Sequence, residues 1–120
     1  MTTNKKYRFS EQELKPLALG RGACFASDMI TVECFKVGFL YRQEPDFEGD
    51  SGWRFLTGFE TDQYMADGAN FGLFDINMIV NCDPEVLEFL DRPVGSAFGR
   101  DPATDNKFVE YPEFDTNDDE

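Results

Sequence analysis

Short segments in which apolar and polar residues alternate, a pattern typical of β-strands, recur along the chain. In Gly52–Gly58, Trp53 and Phe55 alternate with Arg54, so one side of this segment is strongly apolar. Ile30–Arg42 is rich in β-branched and aromatic residues and is expected to contribute strands as well. Further strands are predicted at Cys24–Ser27, Val94–Phe98 and Lys107–Tyr111.

Three positions carry the signals of a helix start. Ser10 and Glu13 have the spacing of a capping box, and Pro16 limits the helix that follows to a turn or two. Asp75 can cap a second helix, and Asp83 stands directly before a proline at the first position of a third. The apolar faces expected for the last two helices are Ile76, Ile79 and Val80, and Val86, Leu87 and Leu90.

The order of these elements, strands followed by helices and then strands, predicts a single α+β domain. We expect a mainly antiparallel sheet of about four to six strands with short helices packed on one face. A length of 120 residues with 41% apolar side chains suits one domain with its own core. The expected boundaries are a flexible N-terminus over 1–8, the domain over 9–112 and a disordered acidic tail over 113–120, with a polar connection at 59–72.

Acidic residues outnumber basic ones by 24 to 11, which gives a formal charge of -13 and an isoelectric point near 4.2. Such a charge disfavours nonspecific binding to nucleic acids or to an anionic membrane surface. Residues 1–43 hold seven basic and four acidic side chains, whereas residues 44–120 hold four basic and twenty acidic ones. Because the sequence contains no histidine, it excludes Ser-His and Cys-His catalytic pairs and lacks the commonest zinc ligand.

The three cysteines, Cys24, Cys34 and Cys82, are an odd number without CxxC spacing, and each lies among apolar neighbours. We interpret them as small buried hydrophobic residues in a reducing cytosol, with a disulfide or a metal site as the alternative. The first ten residues lack the apolar region of a signal peptide, and no apolar run approaches the roughly 20 residues of a membrane span. We therefore expect a soluble cytoplasmic protein.

The most informative polar residues are acidic and lie on both sides of the predicted strand Gly52–Gly58. They are Glu44, Asp46, Glu48 and Asp50 before the strand, and Glu60, Asp62 and Asp67 after it. If the two loops emerge at the same end of the sheet, they form a concentrated negative patch suited to a basic partner. The alternative interpretation is a solvated surface that keeps the protein soluble.

Two aromatic residues near this acidic set, Phe47 and Trp53, can supply the buried anchor of a binding interface. The competing interpretation of Trp53 is that strand alternation directs it into the core together with Phe55. By the same logic, most of the thirteen phenylalanines are interpreted as core residues.

The alternate spacing of Asp46, Glu48 and Asp50 also suggests a site for a divalent cation. An EF-hand loop would need glycine where Ser51 stands and glutamate where Thr57 stands, so that motif fails. A looser calcium or magnesium site, in a small carboxylate- or metal-dependent enzyme, stays open as the alternative class of function. No cofactor is expected.

Two long blocks of the sequence carry a resemblance to a known family. They are KVGFLYRQEPDFEGDSGWRFLTG, Lys36–Gly58, and FGLFDINMIVNCDPEVLEFLDRPVGSAFGRD, Phe71–Asp101. They resemble the bacterial DUF2185 domain, immunity protein family 33, and the similarity spans about residues 27–101.

The resemblance implies a small non-catalytic protein that binds and neutralises a cognate polymorphic toxin, and it assigns no binding residues. The acidic loops favour a basic toxin, for example a nuclease whose cleft normally receives phosphate. A housekeeping binding module without a toxin partner is a further alternative.

Overall fold

The structure is a computed structural model that describes residues 6–112 and residue 114. Six strands form one sheet: β1 Ala23–Ser27, β2 Phe39–Arg42, β3 Asp50–Leu56, β4 Phe71–Asp75, β5 Ala97–Asp101 and β6 Lys107–Glu110. Three short α-helices are α1 Asp28–Thr31, α2 Asp62–Met65 and α3 Ile76–Cys82. Single 3-10 turns or short 3-10 helices occupy Glu11–Glu13, Gly68–Asn70, Pro84–Phe89 and Pro102–Thr104.

The strands lie in the order β4-β1-β3-β2-β5-β6 across the sheet. β1 and β3 run parallel, and the other four neighbouring pairs are antiparallel. The predicted α+β domain with a mainly antiparallel sheet is therefore confirmed. Within the described residues, no helix has the length and apolar character that crossing a bilayer requires.

The core lies between one face of the sheet and α1, α3 and the 3-10 helix Pro84–Phe89, whereas α2 buries none of its residues. Trp53 and Phe55 of β3 point to this face, as the alternation of their strand predicts. Asp75 caps α3 by accepting a hydrogen bond from the backbone N–H of Asn77 at 2.8 Å. The predicted apolar face of α3, Ile76, Ile79 and Val80, is buried against the sheet.

Part of the predicted strand Ile30–Arg42 is helical instead. The Ser27 hydroxyl accepts a hydrogen bond from the N–H of Met29 at 3.1 Å, which ends β1 and starts α1. Ile30 and Thr31 are buried within α1, so tertiary packing outweighs their preference for strands.

Two further expectations about the elements were wrong in part. The polar connection predicted over 59–72 ends in β4, whose strand begins at Phe71. The helix after Asp83 is a 3-10 helix, in which residues three apart share a face. Val86 and Phe89 are therefore buried, whereas Leu87 is exposed.

The cysteines differ in their surroundings, and all three are free thiols. Cys24 is buried, which raises its pKa, and Cys82 is partly buried, which raises its pKa to about 11. Cys34 is exposed and has a left-handed backbone with φ of 71°. The interpretation of the cysteines as buried hydrophobic residues is therefore wrong for Cys34.

Residues beside the expected domain boundaries contact the folded part. The ring of Tyr7 packs edge-on against Phe74 at 5.4 Å between centroids, and the N–H of Arg8 donates to the Thr31 carbonyl at 2.7 Å. Phe114 packs against Phe39 at 4.9 Å. The expected flexible N-terminus covers residues 1–8, of which residues 1–5 lie outside the described residues. The same holds for residues 113 and 115–120 of the expected tail.

Asn77 of α3 fastens the segment that leads into β1. Its side-chain oxygen accepts hydrogen bonds from the N–H groups of Leu17 and Ala18 at 2.9 and 2.8 Å. Its amide nitrogen donates to the carbonyl of Lys15 at 2.9 Å. Because Asn77 is buried, water cannot easily replace these three bonds.

We expect Asn77→Ala to lower the free energy of unfolding by about 1 to 3 kcal/mol, because it leaves the buried N–H of Ala18 without its partner. Amide hydrogen exchange at Leu17 and Ala18, followed by NMR, should accelerate in the variant. Asn81→Ala is the matched control, since Asn81 also bonds to Lys15 but is more exposed. Unchanged protection of Leu17 and Ala18 in Asn77→Ala would contradict this account.

Candidate functional site

A buried ion pair between Asp50 and Arg54 lies in the middle of the sheet. The two residues are four apart on β3 and share the face opposite the helices. The guanidinium donates to both carboxylate oxygens, at 3.0 and 2.9 Å, in a bidentate arrangement. It also lies 4.7 Å from the ring centroid of Phe25, close enough for a cation–π contact.

The Asp50 carboxylate also fixes the turn that precedes β3. It accepts hydrogen bonds from the N–H of Asp46 at 2.8 Å and of Gly52 at 2.9 Å. Gly52 has φ of 91°, and a Cβ there would lie 2.2 Å from the Gln43 carbonyl oxygen, so only glycine fits. Burial opposes ionisation of Asp50, but the hydrogen bonds from Arg54 and the two amides outweigh it and lower its pKa to about 2.

Residues 43–49 connect β2 to β3, and we call this segment the acidic loop. Glu44, Asp46 and Glu48 are all exposed. The Asp46 side chain is 64% exposed while one of its oxygens contacts Arg54 at 3.2 Å. Phe47 is 41% exposed and packs edge-on against Phe25 at 6.4 Å. The ion pair beneath the loop therefore holds three carboxylates and one aromatic ring at the surface.

Asp50 and Trp53, two of the residues proposed from the sequence to contact a partner, are buried. The oxygens of Asp50 are occupied by Arg54 and by backbone amides. Trp53 is 1% exposed, and its indole N–H donates to the Leu90 carbonyl at 3.3 Å. Neither side chain can reach a partner in this fold, and the competing interpretation of Trp53 as a core residue is confirmed.

The acidic residues after β3 lie at the other end of that strand. β3 has seven residues, so the two acidic segments are separated by about 20 Å along it. Asp62 is exposed, and Asp67 caps the 3-10 helix by accepting from Ala69 N–H at 3.0 Å. The single concentrated patch expected if both loops met at one end does not form.

Glu60 serves the turn after β3. Its two carboxylate oxygens accept hydrogen bonds from the N–H groups of Thr57 and Gly58, at 2.9 and 3.0 Å. Burial raises its pKa, but these hydrogen bonds outweigh the effect of burial and hold the pKa below its usual value. Glu60 is half-buried, and its carboxylate stabilises the local backbone.

The metal site considered for Asp46, Glu48 and Asp50 lacks a free carboxylate at its centre, because Asp50 is paired with Arg54. In the part of the chain that the structure describes, no three Asp, Glu or Cys side chains are grouped as a metal ion would require.

The face of the sheet opposite the core carries a row of aromatic residues. Phe25 and Phe39 were expected in the core with most of the phenylalanines, and Phe114 was expected in the acidic tail. We call Phe25, Phe39, Tyr41, Tyr111 and Phe114 the aromatic face. Phe39 contacts Tyr41 at 6.0 Å, Tyr111 at 5.9 Å and Phe114 at 4.9 Å between ring centroids. The register pairs Tyr41 with Arg54, so the row continues through Arg54 to Phe25 and to Phe47 of the acidic loop. One signal in the sequence pointed to this face. Phe39 and Tyr41 lie on either side of the buried Leu40, so strand alternation places both rings on the face opposite the core.

A groove of about 1020 Å³ lies at the opposite end of β3 from the acidic loop. Two aromatic rings on its lining, Phe35 and Phe59, are 46% and 73% exposed. Its lining has mixed charge, with Lys36, Lys107 and Arg100 beside Glu85, Glu88 and Asp105. Arg100 is engaged by Asp83 at 2.9 Å and Glu85 at 2.7 Å.

The comparison with protein families gives one match, to the Immunity protein Imm33 domain, over residues 24–111. This range includes nearly all of the sheet, the acidic loop and four residues of the aromatic face. It confirms the resemblance to DUF2185, which is the same family. No curated protein and no solved structure matches the chain.

We expect Asp50→Asn to lower the free energy of unfolding by about 3 to 5 kcal/mol near neutral pH, because it removes the bidentate partner of the buried Arg54 and leaves only the exposed Asp46 carboxylate beside it. The folded pKa of Asp50, about 2, is below the unfolded value of 3.8. Its stabilising effect is therefore present above about pH 4 and is lost as the pH falls through about 2. The difference between the two proteins should shrink by roughly 2 kcal/mol over that window, measured by urea unfolding.

Asp91→Asn is the matched control for this experiment. Asp91 pairs with Arg21 at 2.6 Å but is 86% exposed, so its removal should change the stability little. A stability difference for Asp50→Asn that stays constant between about pH 4 and 2 would contradict the account of the ion pair.

Proposed function

Because the chain belongs to the Imm33 family of immunity proteins, we propose that it binds and neutralises a cognate bacterial toxin in the cytoplasm. The observation that carries the proposal is the family match over residues 24–111, which covers most of the domain. Proteins of this family are generally non-catalytic. We infer that this chain acts in the same way, by occupying a surface of the toxin and without catalysing a reaction.

The acidic loop is the part of the surface that we propose for recognition of the toxin. Glu44, Asp46 and Glu48 present negative charge, and the formal charge of -13 extends this field around the molecule. A basic toxin would be steered toward such a surface, which raises the association rate. Because Asp50 already fixes the loop, less conformational entropy is lost on binding.

The function is tested by capturing the tagged protein from its bacterium at about 0.15 M salt and identifying what binds in stoichiometric amount. The captured partner is then expressed alone and together with this chain, and growth is measured. We expect growth arrest by the partner alone and recovery on co-expression. A harmless partner would favour the housekeeping binding module, and toxicity that the chain does not relieve would contradict the proposal.

We expect Glu44→Lys with Glu48→Lys to slow association with the toxin about tenfold at low salt, since both carboxylates are exposed and contribute to steering. Asp46 is left unchanged because it contacts Arg54. Association is measured by surface plasmon resonance at several salt concentrations, and circular dichroism verifies that the fold is intact.

The matched control is Glu33→Lys with Asp62→Lys, which changes the net charge equally at the other end of β1 and β3. If the control slows association as much as the loop variant, the net charge and not the loop is responsible. A loop variant that associates as fast as the natural protein would rule out the acidic loop as the recognition surface.

A further inference from the structure

We propose that the toxin sits on the aromatic face of the sheet together with the acidic loop, and that arginine and lysine side chains of the toxin make the contact. This inference rests on the proposed function and specifies its surface and the chemistry of the partner. The surface runs from Phe47 through Phe25, Arg54 and Tyr41 to Phe114.

The first argument is that this face is apolar but exposed. Tyr111 is 43% exposed and Phe114 is 40% exposed, although both pack against Phe39. Leu73 of β4 pairs with Phe25 of β1 and is 53% exposed, so the apolar surface extends to the sheet edge. Contiguous apolar surface rimmed by charge is typical of protein interaction sites.

The second argument is that exposed carboxylates and exposed aromatic rings lie next to each other on this surface. The exposed carboxylates of Glu44, Asp46 and Glu48 border the aromatic row through Phe47. Arginine can bind the carboxylates and the aromatic rings at the same time, because its guanidinium pairs with carboxylates and stacks on rings.

The protein's own Arg54 demonstrates this chemistry at the same place. Its guanidinium is held by two carboxylates, Asp50 and Asp46, and lies over the ring of Phe25. A partner's arginine can find the same combination one layer farther out, where Glu44, Glu48 and Phe47 are exposed.

The third argument comes from the groove at the other end of β3. Its aromatic rings, Phe35 and Phe59, are at least as exposed as those of the aromatic face. Lys36 and Lys107 line the same groove beside Glu85, Glu88 and Asp105, so its charges largely cancel, whereas the charged side chains of the acidic loop are all negative. The charges therefore favour the aromatic face over the groove for a basic toxin.

The two parts of the surface should affect binding differently. Aromatic anchors that become buried in an interface control mainly the dissociation rate. Carboxylates at the rim control mainly the association rate and its dependence on salt. Loss of Phe47 and Tyr111 is therefore expected to speed dissociation with little change in association.

The inference is tested without the toxin by titrating the isotope-labelled protein with a tetra-arginine peptide and following backbone amide shifts by NMR. We expect shifts in the acidic loop, in β2 and near Tyr111, and we expect added salt to weaken them. Shifts concentrated at Phe35 and Phe59, or spread over all acidic segments alike, would overturn the inference.

Variants that remove aromatic rings test whether the aromatic face itself binds the peptide. Phe47→Ser with Tyr111→Ser should weaken peptide binding about fivefold, whereas the matched pair Phe35→Ser with Phe59→Ser should leave it unchanged. Phe47→Ser alone serves if the double variant does not fold, because Phe47 lies in a loop. Equal weakening by both pairs, or none by the Phe47 variants, would also overturn the inference.

The same variants with the captured toxin separate this inference from the proposed function. A toxin that is neutralised but binds the Phe47 and Tyr111 variant with unchanged affinity would contradict only the inference about the surface. Peptide binding at the aromatic face in a chain that neutralises no toxin would contradict only the proposed function.

Discussion

The ion pair between Asp50 and Arg54 is the interaction on which the acidic side of this molecule depends. Its charges are buried in the middle of the sheet, where desolvation is costly unless every polar atom has a partner. The structure meets that condition with a bidentate contact, two backbone amides and the ring of Phe25. The turn before β3 is consequently fixed, and the neighbouring carboxylates are held at the surface in one arrangement.

The sheet has two faces with different tasks. One face packs Trp53 and Phe55 against the helices and supplies the apolar burial that stabilises the domain. The other face holds Arg54 and the aromatic row, and its contacts come from side chains of the strands, the acidic loop and Phe114. This division leaves partly exposed aromatic rings on the second face, which is the surface that we propose for the toxin. Rings that are already fixed by their neighbours lose little entropy on binding.

Local signals in the sequence predicted the elements whose stability is local. The cap at Asp75, the alternation around Trp53 and the α+β order of elements were all readable in this way. The short helix at Ile30 was missed because burial, and not β-propensity, decides its conformation. Asp50 was grouped with the exposed acidic residues beside it, because only the folded sheet shows that it forms a buried ion pair with Arg54. The aromatic face was missed because β2 carries large apolar side chains on both sides, Leu40 on one and Phe39 and Tyr41 on the other, so alternation alone does not tell core from surface.

The central claim, that the aromatic face beside the acidic loop meets the toxin, is tested most directly by hydroxyl-radical footprinting of the free and toxin-bound protein. Oxidation by radicals reports the exposure of individual aromatic side chains. The account predicts that Phe47, Tyr111 and Phe114 become protected in the complex while Phe35 and Phe59 are oxidised as before. Protection of Phe35 and Phe59, with the aromatic face still oxidised, would contradict it.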